Sequence, residues 1–235
     1  MDGLAAFALV AESTRRFVES VARLSDAEVG GATLIPPWTR GHVITHVARA
    51  ADSYCRLLAG ATEGLATPQY PSMEFRAEQI EAGAGRSVDE LVSDVTASSD
   101  RFEQAMRSLP AHAWRAKVRM RPGELRAPAV LPLIRQRELE VHHVDLAVGY
   151  RFSDIAAETA GWIIDDILME LQRRDPVPAL AIKATDTGLT RELGVGAPLI
   201  SGTQADILAW LSGRSNGAGL SSSGGNEVPL AAYWI

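Results

Sequence analysis

Apolar residues recur at helical spacing over four long stretches of this chain, and no other feature restricts its fold as strongly. From Leu4 to about Leu24 the repeat runs Leu4, Phe7, Ala8, Val10, Ala11, Phe17, Val21 and Leu24 with charges between, the pattern of an amphipathic helix. Pro36 and Pro37 in "LIPPWTRGH" then force a turn, because neither can donate a backbone hydrogen bond and each pushes its predecessor out of helical conformation. Thr39 is placed to cap a second helix, predicted from about Gly41 to Leu58. In "GATEGLATPQYPSM" Gly, Pro and Thr are too dense for a regular element, so this stretch reads as a long loop, a common place for a binding wall. A third helical pattern spans Ser87 to Leu109 through Leu91, Val92, Val95, Phe102, Ala105, Met106 and Leu109, and a fourth spans residues 129–148. Between them "WRAKVRM" and "GELRAP" flank "RPG" as a short hairpin or extended crossover.

After "GYRF" the style changes. A helix over Ile155 to Leu171 is followed by strands in "ALAIKATDTGLTREL", a helix in "ADILAWLSG" and a Gly/Ser-rich tail, "GAGLSSSGGNEVP". The boundary falls near residue 150, separating a helical domain over residues 1–150 from a small α+β domain over residues 151–235, with no internal repeat in either.

At 235 residues and 46% hydrophobic content the chain can bury a core of its own. Its apolar run "LAAFALVA" is too short to span a bilayer and no basic residues precede it as in a signal peptide, so neither membrane nor secretion is expected. One cysteine, Cys55, makes no intramolecular disulfide and rules out a cysteine-rich metal site, which suits a cytoplasmic location. With 29 acidic against 23 basic residues the net charge is −6, which argues against nucleic acid and for a small-molecule partner.

Any metal must therefore sit on His and carboxylates. In "RQRELEVHHVDL" Glu138 and His142 are four apart, about 40° from each other on a helix, and Asp145 returns to within about 20° of the same line. His143 is turned roughly 140° away from Glu138. In "GHVITHVA" His42 and His46 are four apart, so either can present an imidazole to a neighbouring helix. A carboxylate and a histidine one turn apart, facing a histidine of another helix, is a known way for a bundle to hold a divalent metal. The plain reading is a surface pair contributing about 0.3–0.5 kcal/mol. On the same plain reading Arg135 and Arg137 are solvated charges, His143 is a partly buried or interface residue, and His42 caps or packs. Cys55, nine residues beyond His46, lies on the opposite side of its helix and reads as a small buried hydrophobe.

Taken together, "PPWTRGHVITHVA", "RELEVHHVDL" and the ending "LSGRSNG…VPLAAYWI" resemble the mycothiol-dependent maleylpyruvate isomerases, a branch of the DinB-like metal-binding four-helix bundles. The resemblance runs over essentially the whole chain, and its motifs are specific in combination. It implies a mainly α fold, a DinB-like bundle followed by a small α/β C-terminal domain. It also implies His46, Glu138 and His142 as metal ligands, leaving out His42 and His143. Three protein ligands with an open position suit a catalytic site, and zinc best fits two imidazoles and a carboxylate, although the same donors also suit nickel, iron or manganese.

The reaction implied is cis-to-trans isomerisation, which requires a double bond to become single for a time. The resemblance names the agent as mycothiol, the sugar-based thiol of actinobacteria. A divalent metal can take the proton from a coordinating thiol, whose free pKa is about 8.5. Thiolate addition to maleylpyruvate would push charge onto the conjugated ketone oxygen, and rotation and expulsion of the thiolate would leave fumarylpyruvate. Arg214 in "LSGRSNG" is the expected carboxylate fork, since the family carries an arginine there that faces the metal pocket; the plain reading of Arg214 is a helix-end charge. Asp145 would orient a ligand histidine, a plain surface acid being its alternative. Arg76 and Tyr70 in the loop region stand behind Arg214 as pocket candidates. Two rival readings are a mycothiol S-transferase acting on another small electrophile and a non-catalytic metal or ligand-binding module. The sequence leaves the oligomeric state open.

Overall fold

The structure, a computed structural model, describes residues 3–121, 123–223, 225 and 227–231. Residue contacts divide the chain into two compact units, Met1–Val148 and Gly149–Ile235.

In the first unit α1 (Gly3–Val21) buries Ala6, Val10, Ser13, Phe17 and Val21, three or four apart, and so presents one stripe. A single turn, α2 (Asp26–Val29), leads to α3 (Arg40–Glu63), which buries 15 of its 24 residues and is therefore the central helix of the unit. It opens on a capping box in which His42 stands where Glu or Gln is usual, the Thr39 N–H donating to His42 Nδ1 at 3.2 Å. It closes on Gly64, whose φ of 71° is the left-handed conformation that lets a backbone N–H turn back onto the last carbonyls.

The helix thus runs past Leu58 into the segment expected to be loop, and what remains of that loop ends at an unforeseen helix, α4 (Met73–Gly83). Only Ile80 and Gly83 of α4 are buried, so it leaves no apolar stripe in the sequence, and Ser72 starts it by accepting from the Phe75 N–H at 3.0 Å. The next helix, α5 (Val88–Arg107), buries Val88, Leu91, Val95, Ser98, Phe102 and Met106. The expected hairpin is present but minimal, β1 (Val118–Arg119) pairing antiparallel with β2 (Leu125–Arg126); Pro122 of its "RPG" lies outside the described residues. A 3-10 turn at Pro128–Val130 enters α6 (Leu131–Asp145). The central α3 packs on α5, α6 and α4, while α1 packs on α5 and α6, and the four long helices share a core that includes Val10, Phe17, Val43, Ile44, Val47, Leu91 and Leu139.

In the second unit α7 (Ala157–Leu171) precedes a four-stranded sheet of order β4-β3-β5-β6, formed by β3 (Leu180–Ala184), β4 (Thr190–Leu193), β5 (Leu199–Gly202) and β6 (Ser221–Ser222). The pair β3 and β5 is parallel and the others antiparallel. Between β5 and β6, α8 (Gln204–Leu211) packs on α7 with Ile207, Leu208, Trp210 and Leu211 buried. The strand β5 had no distinct sequence signal, and the Gly/Ser-rich tail supplies the edge strand β6 where no element was expected. Residues 224, 226 and 232–235, the last carrying the end of the terminal motif, lie outside the described residues. The chain is mainly α, a helical bundle followed by a small α/β part. No described helix is long and apolar enough to cross a membrane.

Candidate metal centre

Twelve of the fifteen residues of α6 are buried, polar ones among them, so each polar group needs a partner inside the protein. Arg135, expected to be solvated, is instead fully buried: its Nη1 donates to the Val47 carbonyl at 2.6 Å and its Nη2 to Ser99 Oγ at 3.0 Å. Burial presses the Arg135 pKa downward, and the partners that satisfy it come from α3 and α5. Glu140 faces α1, taking Ser13 Oγ at 2.5 Å and Arg16 Nη2 at 2.6 Å. His143, expected to be partly buried or at an interface, lies on that same side and is buried, its Nε2 2.8 Å from Ser20 Oγ. The remaining stripe of α6, Glu138, His142 and Asp145, is left for a different purpose.

That stripe meets His46 of α3. Ligand atoms of His46, Glu138 and His142 all lie within 4.8 Å of one another. Glu138 Oε2 is 3.3 Å from His46 Nε2 and 3.5 Å from His142 Nε2. As hydrogen bonds these separations are long. As edges of a tetrahedron around a divalent ion they fit, since bonds of about 2.0–2.1 Å at tetrahedral angles place neighbouring donors about 3.4 Å apart. Asp145 Oδ2 lies 2.8 Å from His142 Nδ1, and because a carboxylate oxygen accepts, Nδ1 carries a proton and Nε2 is the ring nitrogen that would serve a metal. The residues therefore fit a divalent metal with two imidazoles and one carboxylate.

Burial and these neighbours set the charges of the three groups. Burial pushes His46 down to about 4, outweighing its hydrogen bond to Glu138, so the close pair is a neutral imidazole against a carboxylate rather than a full ion pair. Burial alone would raise Glu138, but hydrogen bonds from His142 and His46 and the charge of Arg137, whose Nη2 is 3.0 Å from Oε1, hold it well below the usual carboxylate range. Burial would lower His142, yet its bonds to Asp145 and Glu138 raise it. Arg137 is thus tied to the site rather than solvated.

Two groups nearby were hard to read from sequence. Trp38 packs its ring 5.3 Å from that of His46, and Arg76 of α4 brings Nη2 to 3.2 Å from His46 Nδ1. Trp38 was visible inside "PPWTRGH" but had no assigned task; Arg76 reaches the site only because α4 folds back onto α3. His42 stays outside, bonded to Thr39 and at 3.1 Å to Glu81. Cys55 is half-buried, not buried as expected, and burial with the nearby Asp52 carboxylate raises its thiol to about 11. Arg214, in the other unit, follows the α8 end, donating Nη1–H to the Ser212 carbonyl at 2.5 Å.

A family model described as the mycothiol maleylpyruvate isomerase N-terminal domain matches residues 10–147. Among solved structures, the chain is similar to the crystal structure of a mycothiol-dependent maleylpyruvate isomerase, with a TM-score of 0.90 and 27% identity over 100% of this chain and 98% of the other. A histidine-to-alanine mutant of that isomerase matches with the same values. No curated protein sequence matches. Since the family model spans more than half of the chain and includes all three candidate ligands, the protein is a member of the mycothiol maleylpyruvate isomerase family.

Proposed function

We propose that the protein isomerises maleylpyruvate to fumarylpyruvate with mycothiol as thiol cofactor and a divalent metal, zinc fitting the donors best, at His46, Glu138 and His142. The observation that carries the reading is that Glu138 Oε2 stands 3.3 Å from His46 Nε2 and 3.5 Å from His142 Nε2, separations that suit a shared ion, with Asp145 accepting from His142 Nδ1–H. When bound, the metal would supply the means to hold the thiol as thiolate near neutral pH.

The chain's own residues define what else happens. Burial favours the neutral form of His46, and His142 turns its Nδ1–H toward Asp145, so the two Nε2 atoms are the nitrogens that would hold a metal. Cys55 is protonated at neutral pH and takes no part in the triad, so the nucleophile comes from outside. Thiolate sulfur adds to the alkene carbon, the π electrons move to the ketone oxygen, rotation follows about the new single bond, and the returning electron pair expels the thiolate. The family resemblance adds Arg214 as the anchor for a substrate carboxylate, and the single cysteine accords with work in the cytoplasm.

Purified protein loaded with zinc and incubated with mycothiol and maleylpyruvate should form fumarylpyruvate only when the thiol is present. A stable thioether in its place would identify a thiol transferase. Stoichiometric metal binding without thiol-dependent turnover on a panel of electrophiles would identify a binding module.

A further inference from the structure

Arg76 has an unusual set of neighbours. Its guanidinium carbon is 5.7 Å from the ring centre of Trp38 and 5.7 Å from that of Tyr70, so two aromatic faces hold it. No carboxylate of the described residues pairs with it, and its buried Nε has no hydrogen-bond partner among them. Other arginines of this region have oxygen partners: Arg49, whose Nε is likewise unbonded, reaches Asp94 and Asp52, and Arg56 Nε donates to the Pro68 carbonyl at 3.1 Å. With those two, Asp52, Gln69 and Tyr70, Arg76 lines a recess of about 250 Å³ in the bundle unit, where Asp52 is taken up by Arg49 and Arg101. It also touches the metal triad, through Nη2 at 3.2 Å from His46 Nδ1.

That last contact has a condition attached. A guanidinium only donates, so His46 Nδ1 can accept from it only while the imidazole proton sits on Nε2, toward Glu138. Once Nε2 serves a metal, a neutral ring carries its proton on Nδ1, and two N–H groups then face each other. Arg76 loses its polar partner at the moment the site becomes competent, while the aromatic rings keep it in place. A planar, permanently charged donor in that position calls for an acceptor from outside the chain, and a carboxylate matches its fork.

We propose that Arg76 anchors a carboxylate of the substrate beside the metal, an assignment that rests on metal binding at His46 as read above. Metal loading and anion capture are then linked, because the same event that deprives Arg76 of His46 frees its Nη2 for the ligand.

The test uses zinc-loaded protein without thiol, titrated calorimetrically with maleate, alongside zinc stoichiometry by elemental analysis. Arg76→Met should weaken maleate binding at least tenfold and leave zinc content at wild-type level; Arg76→Lys, which keeps the charge and loses the fork, should weaken it several-fold. In turnover, KM for the carboxylated substrate should rise more than kcat falls. Unchanged maleate affinity in Arg76→Met, no maleate binding by wild type, or loss of zinc from the variant would each overturn the proposal. If Arg76→Met does not fold, Arg76→Lys decides alone, and affinity equal to wild type overturns it. Failure of the wild type to isomerise maleylpyruvate would defeat the isomerase reading but leave an Arg76-dependent maleate site standing. Normal isomerisation with an unmoved KM in Arg76→Met would do the reverse.

Discussion

A ring nitrogen can bind a cation only when it carries no proton, which makes the orientation of single side chains decisive in this protein. His46 aims Nε2 at Glu138, so His46→Ala should fold, since the ring sits at the edge of the triad rather than in the apolar core, and should retain no zinc by elemental analysis. His143→Ala should keep full zinc occupancy, because its ring is bonded to Ser20 on the α1 side, and should lose about 0.5–1.5 kcal/mol in chemical denaturation for the part-buried hydrogen bond removed. Cys55 gives a pH prediction. With a thiol raised to about 11, roughly one molecule in ten thousand is thiolate at pH 7, so alkylation by iodoacetamide, followed by mass spectrometry, should be slow at neutrality and rise with a midpoint near 11. The sign for stability follows: the unfolded thiol ionises first, near the ordinary thiol value of 9.0, so any contribution of the protonated group is present below that pH and is lost as pH rises toward 11. Cys55→Ser should keep thiol-dependent turnover, and complete loss with folding intact would make the chain's own thiol catalytic.

Among the elements, α3 and α4 approach each other more closely than side chains would allow. A Cβ on Gly41 would stand 1.9 Å from the Ala84 carbonyl oxygen, a backbone atom that cannot step aside, and one on Gly83 would stand 2.4 Å from Thr45 Cγ2. Gly41→Ala should therefore push α4 off α3 and destabilise by about 1–3 kcal/mol, read as a lower melting temperature, and Gly83→Ala should also destabilise, because both Cγ2 and Oγ1 of the buried Thr45 face the new methyl and no rotamer removes both. The same elements show what a sequence reveals and what it hides. Helices with a one-sided stripe, such as α1 and α5, were legible from their apolar spacing. The Glu138, His142 and Asp145 line was legible because all three share one helix and local geometry places them. The helix α4 was not, since most of its residues face solvent and its position depends on a glycine contact with α3. Spacing could not choose His46 over His42, because the choice depends on which turn of α3 meets α6, and it read Arg135 as solvated because the partners that satisfy it lie on α3 and α5. Tertiary contacts of this kind leave no local periodicity.

At the scale of the whole chain, the family reading brings in a residue that the metal-bearing unit does not contain. If Arg214 holds a substrate carboxylate, Arg214→Lys should reduce kcat/KM for maleylpyruvate and Arg214→Ala should reduce it further, both with normal metal content. If its bond to the Ser212 carbonyl at the α8 end is its whole role, both variants should lose about 0.3–1 kcal/mol of stability and keep wild-type kinetics. One more consequence follows from the way the three donors are distributed along the chain. His46 comes from its first quarter and Glu138 and His142 from beyond its middle, so an ion held by all three binds the folded chain and has no comparable site on the unfolded one. Free metal at a hundred times its dissociation constant would add about 2.7 kcal/mol to folding. Zinc titrated into the wild type should accordingly raise the melting temperature with the logarithm of its concentration, and in His46→Ala the curve should stay flat. Since proteases remove unfolded chains, the supply of a trace nutrient would then govern how long each molecule lasts as well as how fast it works.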